Sequence, residues 1–311
     1  MILPLHIQEK INKMILKNKT NDLKKVQKSM TEKYKSSSGT GKSLIESKND
    51  GLLYAVSRMP ATYSVILTLL NQLNKQQMID DFSSVIDVGC GTGAGYFAVK
   101  EFNGNVGIKL FEREKNMIDI FNQFETGEIV QKFDLIKDEL NCKADLVLSS
   151  YVLSELGDEQ RINAAKKLYD ASNKYLLLID TGTPKVWAQM MEIKKQLINY
   201  GAKLVAPCQR ENCLLQDDYC QFFARVERTS IHKAVKDATL SYEDEKYFYL
   251  LFSKDETIIN DKSRIIRRPS IKQNVVELFL CSSHGLEKKS FSKRDKEEYK
   301  LAKKSKINDL I

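Results

Sequence analysis

Five short apolar runs alternate with amphipathic, helix-length segments through the middle of this 311-residue chain. The runs are Ser83–Cys90, Asn105–Glu112, Gly127–Asp134, Ala144–Ser150 and Tyr175–Thr181. The helical segments are residues 93–101, 115–124, 157–172 and 184–199. Buried strands joined by crossover helices form a parallel sheet covered on both faces. The alternation therefore predicts an α/β fold with a doubly wound, mostly parallel sheet.

The regions before and after this alternating part have different sequence patterns. Near the start, Ile7, Ile11, Met14 and Ile15 are at helical spacing, and a second helical stretch lies near residues 60–73. From Pro207 onward the chain has clustered cysteines, aromatic strand-like pieces and a charged final helix. We predict an N-terminal helical region (1–75), a Rossmann-like domain (76–206) and a small cysteine-containing C-terminal lobe (207–311).

The segment from Ser36 to Ser43 ends in GTGKS, which invites comparison with a phosphate-binding loop. That motif needs a glycine five residues before Gly41, where this chain has Ser36, and no strand-like run precedes it. We interpret the segment as a linker or exposed loop.

Composition narrows the class of protein. Hydrophobic residues make up 42% and charged residues 29%, values typical of a globular protein. No apolar run approaches the ~18 residues needed to cross a bilayer, so we predict no membrane partner. The first residues do not resemble a secretory signal. We therefore predict a bacterial-type cytoplasmic location, with the mitochondrial matrix as the alternative.

Charge is unevenly distributed. The chain has a net charge of +8, yet residues 81–180 hold 17 acidic against 11 basic residues, about −6. The rest of the chain carries about +14. An acidic centre between basic ends suits a small-molecule site framed by surfaces that meet phosphates. A solvated lysine-rich surface is the alternative interpretation.

A glycine-rich loop follows the first strand of the alternating region, in the string VIDVGCGTGAG. Its pattern residues are Asp87, Gly89, Gly91 and Gly93. The next strand ends at Glu112, where a carboxylate can accept hydrogen bonds from ribose hydroxyls, and the third ends at Asp134, near where an adenine amino group would lie. Three carboxylates and no phosphate-type glycine pattern favour S-adenosylmethionine, with NAD as the less favoured rival.

The loop after the fourth strand reads SSYVLSEL. It lacks the Asn/Asp-Pro-Pro-aromatic signature of enzymes that methylate base amino groups, and it lacks a nucleophilic cysteine. Tyr151 and Glu155 either face a substrate or cap and pack a helix. Because methyl transfer can proceed by alignment and desolvation, we assign no catalytic residue.

Three cysteines, Cys208, Cys213 and Cys220, fall within 13 residues, and Cys281 follows 61 positions later. The spacing differs from the C-x2-C pattern of common zinc sites. An iron–sulfur cluster, which accepts four thiolates from distant segments, and ordinary buried cysteines both fit the spacing.

Taken in order, several strings resemble the small-ribosomal-subunit methyltransferase-like family of bacteria and mitochondria. They are YAVSRMPATY, VIDVGCGTG, DLVLSSYVLSEL, LIDTGTP, GAKLVAPC, SYEDEKYFYL and the terminal LFLCSSHGLEKKSFSKRDKEEYKLAKKS. The resemblance implies a class I methyltransferase fold, binding to the small ribosomal subunit and its rRNA, and a four-cysteine iron–sulfur (4Fe–4S) site on Cys208, Cys213, Cys220 and Cys281. Zinc remains the alternative metal.

Three functions follow as hypotheses. The first is S-adenosylmethionine-dependent methylation of small-subunit rRNA, with a cluster of structural role. The second is a non-catalytic assembly factor that binds rRNA with the same fold. The third is methylation of a small molecule or a protein. We expect a monomer when the protein is not on the ribosome.

Overall fold

A computed structural model describes residues 1–16, 45–208, 210–215, 218–255 and 262–311. The predicted linker from Ser36 to Ser43 lies outside the described residues. The predicted N-terminal helix is present over Leu5–Leu16, and Ile7, Ile11, Met14 and Ile15 form its buried face, as their spacing predicts.

The helices are α1 (Leu5–Leu16), α2 (Lys48–Ser57), α3 (Met59–Lys75), α4 (Ala94–Phe102), α5 (Lys115–Asn122), α6 (Asp158–Asp170), α7 (Pro184–Asn199), α8 (Ser230–Lys236) and α9 (Lys296–Lys304). The strands are β1 (Ser84–Val88), β2 (Gly107–Glu112), β3 (Val130–Lys132), β4 (Ala144–Ser150), β5 (Ser172–Thr181), β6 (Lys203–Ala206), β7 (Phe222–Glu227), β8 (Tyr242–Ser253), β9 (Arg264–Ile265), β10 (Ser270–Ile271), β11 (Val275–Cys281) and β12 (Leu286–Ser292). Short 3₁₀ turns cover Leu153–Glu155 and Lys293–Asp295.

The main sheet has the strand order β3-β2-β1-β4-β5-β8-β6, and β7 pairs with the first half of β8. Strands β1 to β5 are parallel, whereas β8 runs antiparallel to β5 and β6. This order, with one antiparallel strand inserted before the last parallel one, is the class I methyltransferase fold. The predicted α/β architecture is confirmed.

The central strands are nearly continuous apolar runs because helices cover both sides of the sheet. In β8 the six residues Tyr247–Phe252 are all 0% exposed. The sequence pattern assigns β7 and β8 to the C-terminal lobe, but both pair within the main sheet. Their aromatic-rich sequences correctly indicate strands, but they carry no information about which sheet each strand joins.

The N-terminal helices α2 and α3 pack on the same domain. Ser47 caps α2. Its hydroxyl accepts a hydrogen bond from the Asp50 amide, and the Asp50 carboxylate accepts one from the Ser47 amide. A Cβ on Gly51 would lie 2.8 Å from the backbone oxygen of Asn116, so α2 passes very close to the start of α5. This contact brings α2 over the carboxyl edge of the parallel strands.

The last part of the chain forms a second, four-stranded antiparallel sheet, with β10, β11 and β12 in order and β9 beside β11. Helix α9 covers it through Tyr299 and Ala302. Buried Arg264 joins this unit to the main domain, because its guanidinium donates to the Pro207 and Asn308 carbonyl oxygens at 2.7 and 3.0 Å.

In the described ranges no single helix is long and apolar enough to span a membrane, although α2 and α3, bent by 44°, pass that test as a pair.

Candidate functional site

A cleft opens at the carboxyl ends of β1, β2 and β4, where ligands bind in open α/β sheets. We call it the carboxyl-edge cleft. Its lining includes Tyr54 from α2, the glycine loop, the ends of β2 and β3, and the segment after β4: Tyr54, Val88, Gly89, Gly91, Glu112, Arg113, Asp134, Leu135, Tyr151 and Glu155. Four of the six predicted cofactor residues therefore line one cleft, while Asp87 and Gly93 lie directly behind its wall.

The glycine loop turns sharply because three of its glycines adopt positive φ angles: 76° at Gly89, 56° at Gly91 and 91° at Gly93. A Cβ on Gly89 would lie 2.2 Å from a methyl carbon of Val152. A Cβ on Gly93 would lie 2.4 Å from the buried Phe121 ring. The loop is thus closely packed against the segment after β4 and against α5, and only glycine fits at these two positions.

Glu112 fastens the end of β2 to this loop. Its carboxylate accepts hydrogen bonds from the Gly91 amide at 2.8 Å and from the Glu114 amide at 2.7 Å. The side chain is 7% exposed, and burial raises its pKa. The carboxylate is therefore held rigidly at the floor of the cleft, where a bound ribose could donate to its remaining lone pairs.

Asp87 has an unusual environment for a carboxyl group. It is 1% exposed, and neither of its oxygens has a hydrogen-bond partner in the described structure. It lies beside Gly95 in the first turn of α4, where an added Cβ would be 2.2 Å from Oδ2. Burial, followed by the charge of Glu112, raises the pKa of Asp87 to about 7. A buried polar group without a partner is costly, which makes Asp87, one residue before the cleft-lining Val88, a candidate functional group.

Asp134 follows β3 and closes a local turn. Its Oδ1 accepts a hydrogen bond from the Ile136 amide at 3.0 Å, and Lys137 lies 3.9 Å from Oδ2. The residue lines the cleft, as its predicted contact with an adenine amino group requires.

Tyr151 immediately follows β4 and has a φ of 60°, a strained backbone for a residue with a side chain. The Arg58 guanidinium lies 5.7 Å from the centre of its ring. Arg58 in turn pairs with Glu245 of β8 at 3.0 Å. Sequence reasoning missed Arg58, Glu245 and the cleft residue Tyr54, since these contacts join segments far apart in the chain.

Glu155 lies in the 3₁₀ turn after β4 and lines the cleft. Burial, then the charge of Asp180, raises its pKa to about 8. Asp180 itself is buried and holds the turn, because its carboxylate accepts hydrogen bonds from the Ser154 amide at 3.0 Å and the Ser154 hydroxyl at 2.9 Å. The sequence left open whether Tyr151 and Glu155 face a substrate or pack against a helix. In the structure both residues line the cleft.

The four predicted metal cysteines come from separate segments of the C-terminal region. The pKa of Cys208 is raised to about 11, mainly by burial; Lys194 lowers it, and Cys213 and Cys281 add to the rise. Burial is also the main cause of the raised pKa of Cys220, and the other three thiols add to the rise. Since their charges influence one another, the four thiols lie in one neighbourhood.

Arginines cross-link the segments that carry these cysteines. Arg264, next to Cys281 in the sheet register, donates to the Pro207 carbonyl at 2.7 Å. Arg210 donates to the Ser283 carbonyl at 2.6 Å, and Arg267 pairs with Asp218. These contacts hold the cysteine segments together.

Among the residues that the structure describes, no group of three His, Cys, Asp or Glu side chains is arranged to hold a metal ion. Cysteine thiolates are nonetheless the ligands that iron–sulfur clusters use, and the contacts above hold the segments that carry these four cysteines together.

Comparison with known proteins identifies a family. The model of the family described as "Mitochondrial small ribosomal subunit Rsm22" matches residues 48–311. No curated protein sequence matches the chain.

Solved structures with a similar fold include several methyltransferases. Magnesium protoporphyrin IX methyltransferase from Synechocystis, with bound S-adenosylmethionine, is 15% identical over 69% of this chain and 86% of that one, with a TM-score of 0.41. The N-methyltransferase NodS from Bradyrhizobium japonicum, with bound S-adenosylhomocysteine, is 12% identical over 62% of this chain and 86% of that one, also with a TM-score of 0.41. A TehB-like methyltransferase from Corynebacterium glutamicum is 14% identical over 63% and 88%, again at 0.41.

Proposed function

Because this chain belongs to the Rsm22 family of the mitochondrial small ribosomal subunit, we propose that it binds S-adenosylmethionine in the carboxyl-edge cleft and methylates small-subunit rRNA. The family also favours the mitochondrial matrix over a bacterial-type cytoplasm as its location. S-adenosylmethionine supplies a methyl group on a positively charged sulfur. The chain's own residues would bind, orient and desolvate the reactants.

The main support for the proposal is a set of carboxyl groups in and behind the cleft wall, of which Asp87 and Glu112 are buried and Glu155 is partly buried. Burial raises the pKa of Asp87 to about 7 and that of Glu155 to about 8, and it also raises the pKa of Glu112. Without a ligand these groups therefore tend to hold their protons, and a cation bound beside them would favour their charged forms. A ligand that carries a sulfonium and an ammonium complements a lining in which carboxyl groups outnumber the one arginine, Arg113.

The residues have distinct roles in this proposal. Glu112, held by the Gly91 amide, would accept hydrogen bonds from the ribose, and Asp134 would accept one from the adenine amino group. Gly89 and Gly91, which line the cleft, would let the backbone approach the ligand closely, and Gly93 makes the turn into α4. Asp87 would balance the ligand's positive charge from behind the loop. The acceptor would enter beside Tyr151.

The test is transfer of a radiolabelled methyl group from S-adenosylmethionine to small-subunit rRNA by the purified chain. We expect labelling with the wild type, loss of labelling with Asp87→Ala, and no change with the matched control Glu101→Gln, an exposed acid at the far end of α4. Labelling that persists in Asp87→Ala would contradict the proposed site. Cofactor binding without labelling would support the non-catalytic assembly factor instead.

We also propose that Cys208, Cys213, Cys220 and Cys281 hold an iron–sulfur cluster of structural role. The mutual influence of the four thiols supports this, as do the nearby cations Lys194, Arg210, Arg264 and Arg267, which suit the net negative charge of a four-thiolate cluster. The cluster would tie the second sheet to the main domain.

Anaerobic purification followed by iron, sulfide and zinc analysis tests this cluster. We expect iron and sulfide with the wild type, loss of both with Cys281→Ser, and retention with the control Cys142→Ser, a partly exposed cysteine outside the group. Zinc in place of iron, or a folded protein without metal, would contradict the cluster.

A further inference from the structure

The first half of β8 extends beyond the main sheet at the edge that holds the cleft. Tyr247 is paired with Thr181, the last residue of β5, so Tyr242–Lys246 project past the carboxyl end of that parallel strand. This projection pairs with β7 instead. The sequence string that contains it, SYEDEKYFYL, has no role in the cofactor site as proposed above.

Side chains alternate between the two faces of this projection. On the inner face, Glu245 pairs with Arg58, whose guanidinium lies over the ring of Tyr151 at the cleft. Glu243, on the same face, pairs with Arg228 and Lys236. The inner face therefore anchors the projection to the cleft wall.

The outer face presents aromatic rings and arginines in pairs. The Arg225 guanidinium lies 4.0 Å from the centre of the Tyr242 ring, and that of Arg268 lies 4.3 Å from the centre of the Phe223 ring. Register places Arg225 opposite Asp244 and Phe223 opposite Lys246. We call Phe223, Arg225, Tyr242, Asp244, Lys246 and Arg268 the stacking platform.

One carboxylate orients both guanidiniums of the platform. Asp244 accepts hydrogen bonds from Arg225 at 2.7 and 3.1 Å and from Arg268 at 2.6 Å. Each arginine keeps further N–H groups beyond those that Asp244 uses. The arginine side chains are 55% and 59% exposed and Tyr242 is 38% exposed, so the Tyr242 ring and the arginine donors are open to a ligand.

We propose that the stacking platform binds a single-stranded segment of RNA and presents it to the carboxyl-edge cleft. Unpaired bases stack on aromatic rings and on arginine planes, and exposed cations contact phosphates. The platform has three cations and one carboxylate, so its charge complements a polyanion. The inference rests on the proposed function for the identity of the RNA.

The stacking platform lies close to the carboxyl-edge cleft. Asp244 on the platform and Glu245 on the anchoring face are adjacent residues, and Glu245 is one arginine away from Tyr151 of the cleft. RNA held on the outer face would therefore lie next to the entrance through which a methyl acceptor must pass. This gives the acidic first half of β8 a role: Glu245 anchors the strand to Arg58, and Asp244 holds the arginines that would face the RNA.

The experiment measures fluorescence anisotropy of a labelled, unstructured RNA of about 12 nucleotides with the full chain, over a range of salt concentrations. Tyr242→Leu removes one stacking ring, and Arg225→Gln with Arg268→Gln removes two cations. The matched control is Tyr200→Leu, since Tyr200 is also exposed (48%) and also lies under a cation, Lys166, at 5.3 Å. Tyr200 is at the end of α7, away from β8.

We expect Tyr242→Leu to weaken RNA binding about tenfold, since stacking on one base has about that effect. The arginine double variant should weaken it at least as much and should lower the salt slope by about 0.7 for each phosphate that the protein no longer neutralises. Tyr200→Leu should bind RNA as the wild type does.

Wild-type RNA affinity in both platform variants would overturn the proposal. So would an acidic peptide that competes as well as RNA does and is insensitive to Tyr242→Leu, because it would identify a general anion surface. S-adenosylmethionine binding is measured on the same variants and should be unchanged. Absence of cofactor binding in the wild type with platform-dependent RNA binding intact would refute the proposed enzyme and leave this inference standing.

Discussion

Asp87→Asn should stabilise the ligand-free protein, and the gain should grow with pH. The carboxyl group is 1% exposed, without a hydrogen-bond partner in the described structure, and its pKa is raised to about 7 by burial and by Glu112. The folded protein thus holds this proton more tightly than the unfolded chain does. Ionisation of Asp87 then lowers the unfolding free energy at every pH above the pKa that Asp87 has in the unfolded chain. This loss of stability reaches its full size above pH 7.

The size of the effect follows from the shift. The pKa moves from 3.8 to about 7. One pKa unit corresponds to ~1.36 kcal/mol, so the cost reaches about 4 kcal/mol at pH 8 and falls below about 1 kcal/mol at pH 4. Asparagine has nearly the same shape and no charge. The variant should therefore exceed the wild type by up to about 4 kcal/mol at pH 8 and nearly equal it at pH 4.

Urea unfolding of both proteins without ligand, at several pH values between these limits, measures the difference. The control is Asp145→Asn, because hydrogen bonds from the Ser83 amide and hydroxyl lower the pKa of Asp145. That substitution should lower stability at neutral pH, the opposite sign. A stability difference for Asp87→Asn that does not change with pH, or a loss at pH 8, would refute the electrostatic reasoning.

Two further substitutions probe the loop and the junction. Gly93→Ala should cost about 2–5 kcal/mol of unfolding free energy, because a positive φ and a clash with Phe121 act together. The control Gly127→Ala should cost about 1–2 kcal/mol, since Gly127 has a φ of 80° but nothing within 4 Å of an added Cβ. Similar losses in urea unfolding for the two variants would show that the Phe121 contact is unimportant. Arg264→Met should cost at least about 3 kcal/mol of unfolding free energy, because it leaves buried oxygens without donors. The control Arg294→Met, at an exposed position, should cost almost nothing. Equal thermal unfolding midpoints for the two variants would contradict the role of Arg264 in joining the second sheet to the main domain.

Local patterns in the sequence are sufficient to predict most of the main sheet. The run Ser83–Cys90 contains β1, and the run Ala144–Ser150 matches β4, because each alternates with a helix of recognisable amphipathic spacing. The strand β8 is recognisable as a strand, but its sequence does not reveal its sheet. Its insertion between β5 and β6 depends on pairing between residues about 70 positions apart, which no local pattern encodes.

The candidate site divides in the same way. Glycines and carboxylates at strand ends are accessible from the sequence because parallel strands bring their carboxyl ends to one edge. Arg58, which links Glu245 to Tyr151, is not, because it acts across 187 positions of the chain. The grouping of Cys281 with the earlier cysteines comes from family resemblance, and the cluster itself stays a prediction.

Calorimetric titration of S-adenosylmethionine into the ligand-free protein at neutral pH tests the central claim most directly. We expect saturable one-to-one binding with the wild type and clearly weaker binding with Asp87→Asn. S-adenosylhomocysteine, which lacks the sulfonium charge, should also bind more weakly, since the carboxyl groups of the cleft favour a cation. No binding by the wild type, or equal affinity of wild type and Asp87→Asn for both ligands, would contradict it.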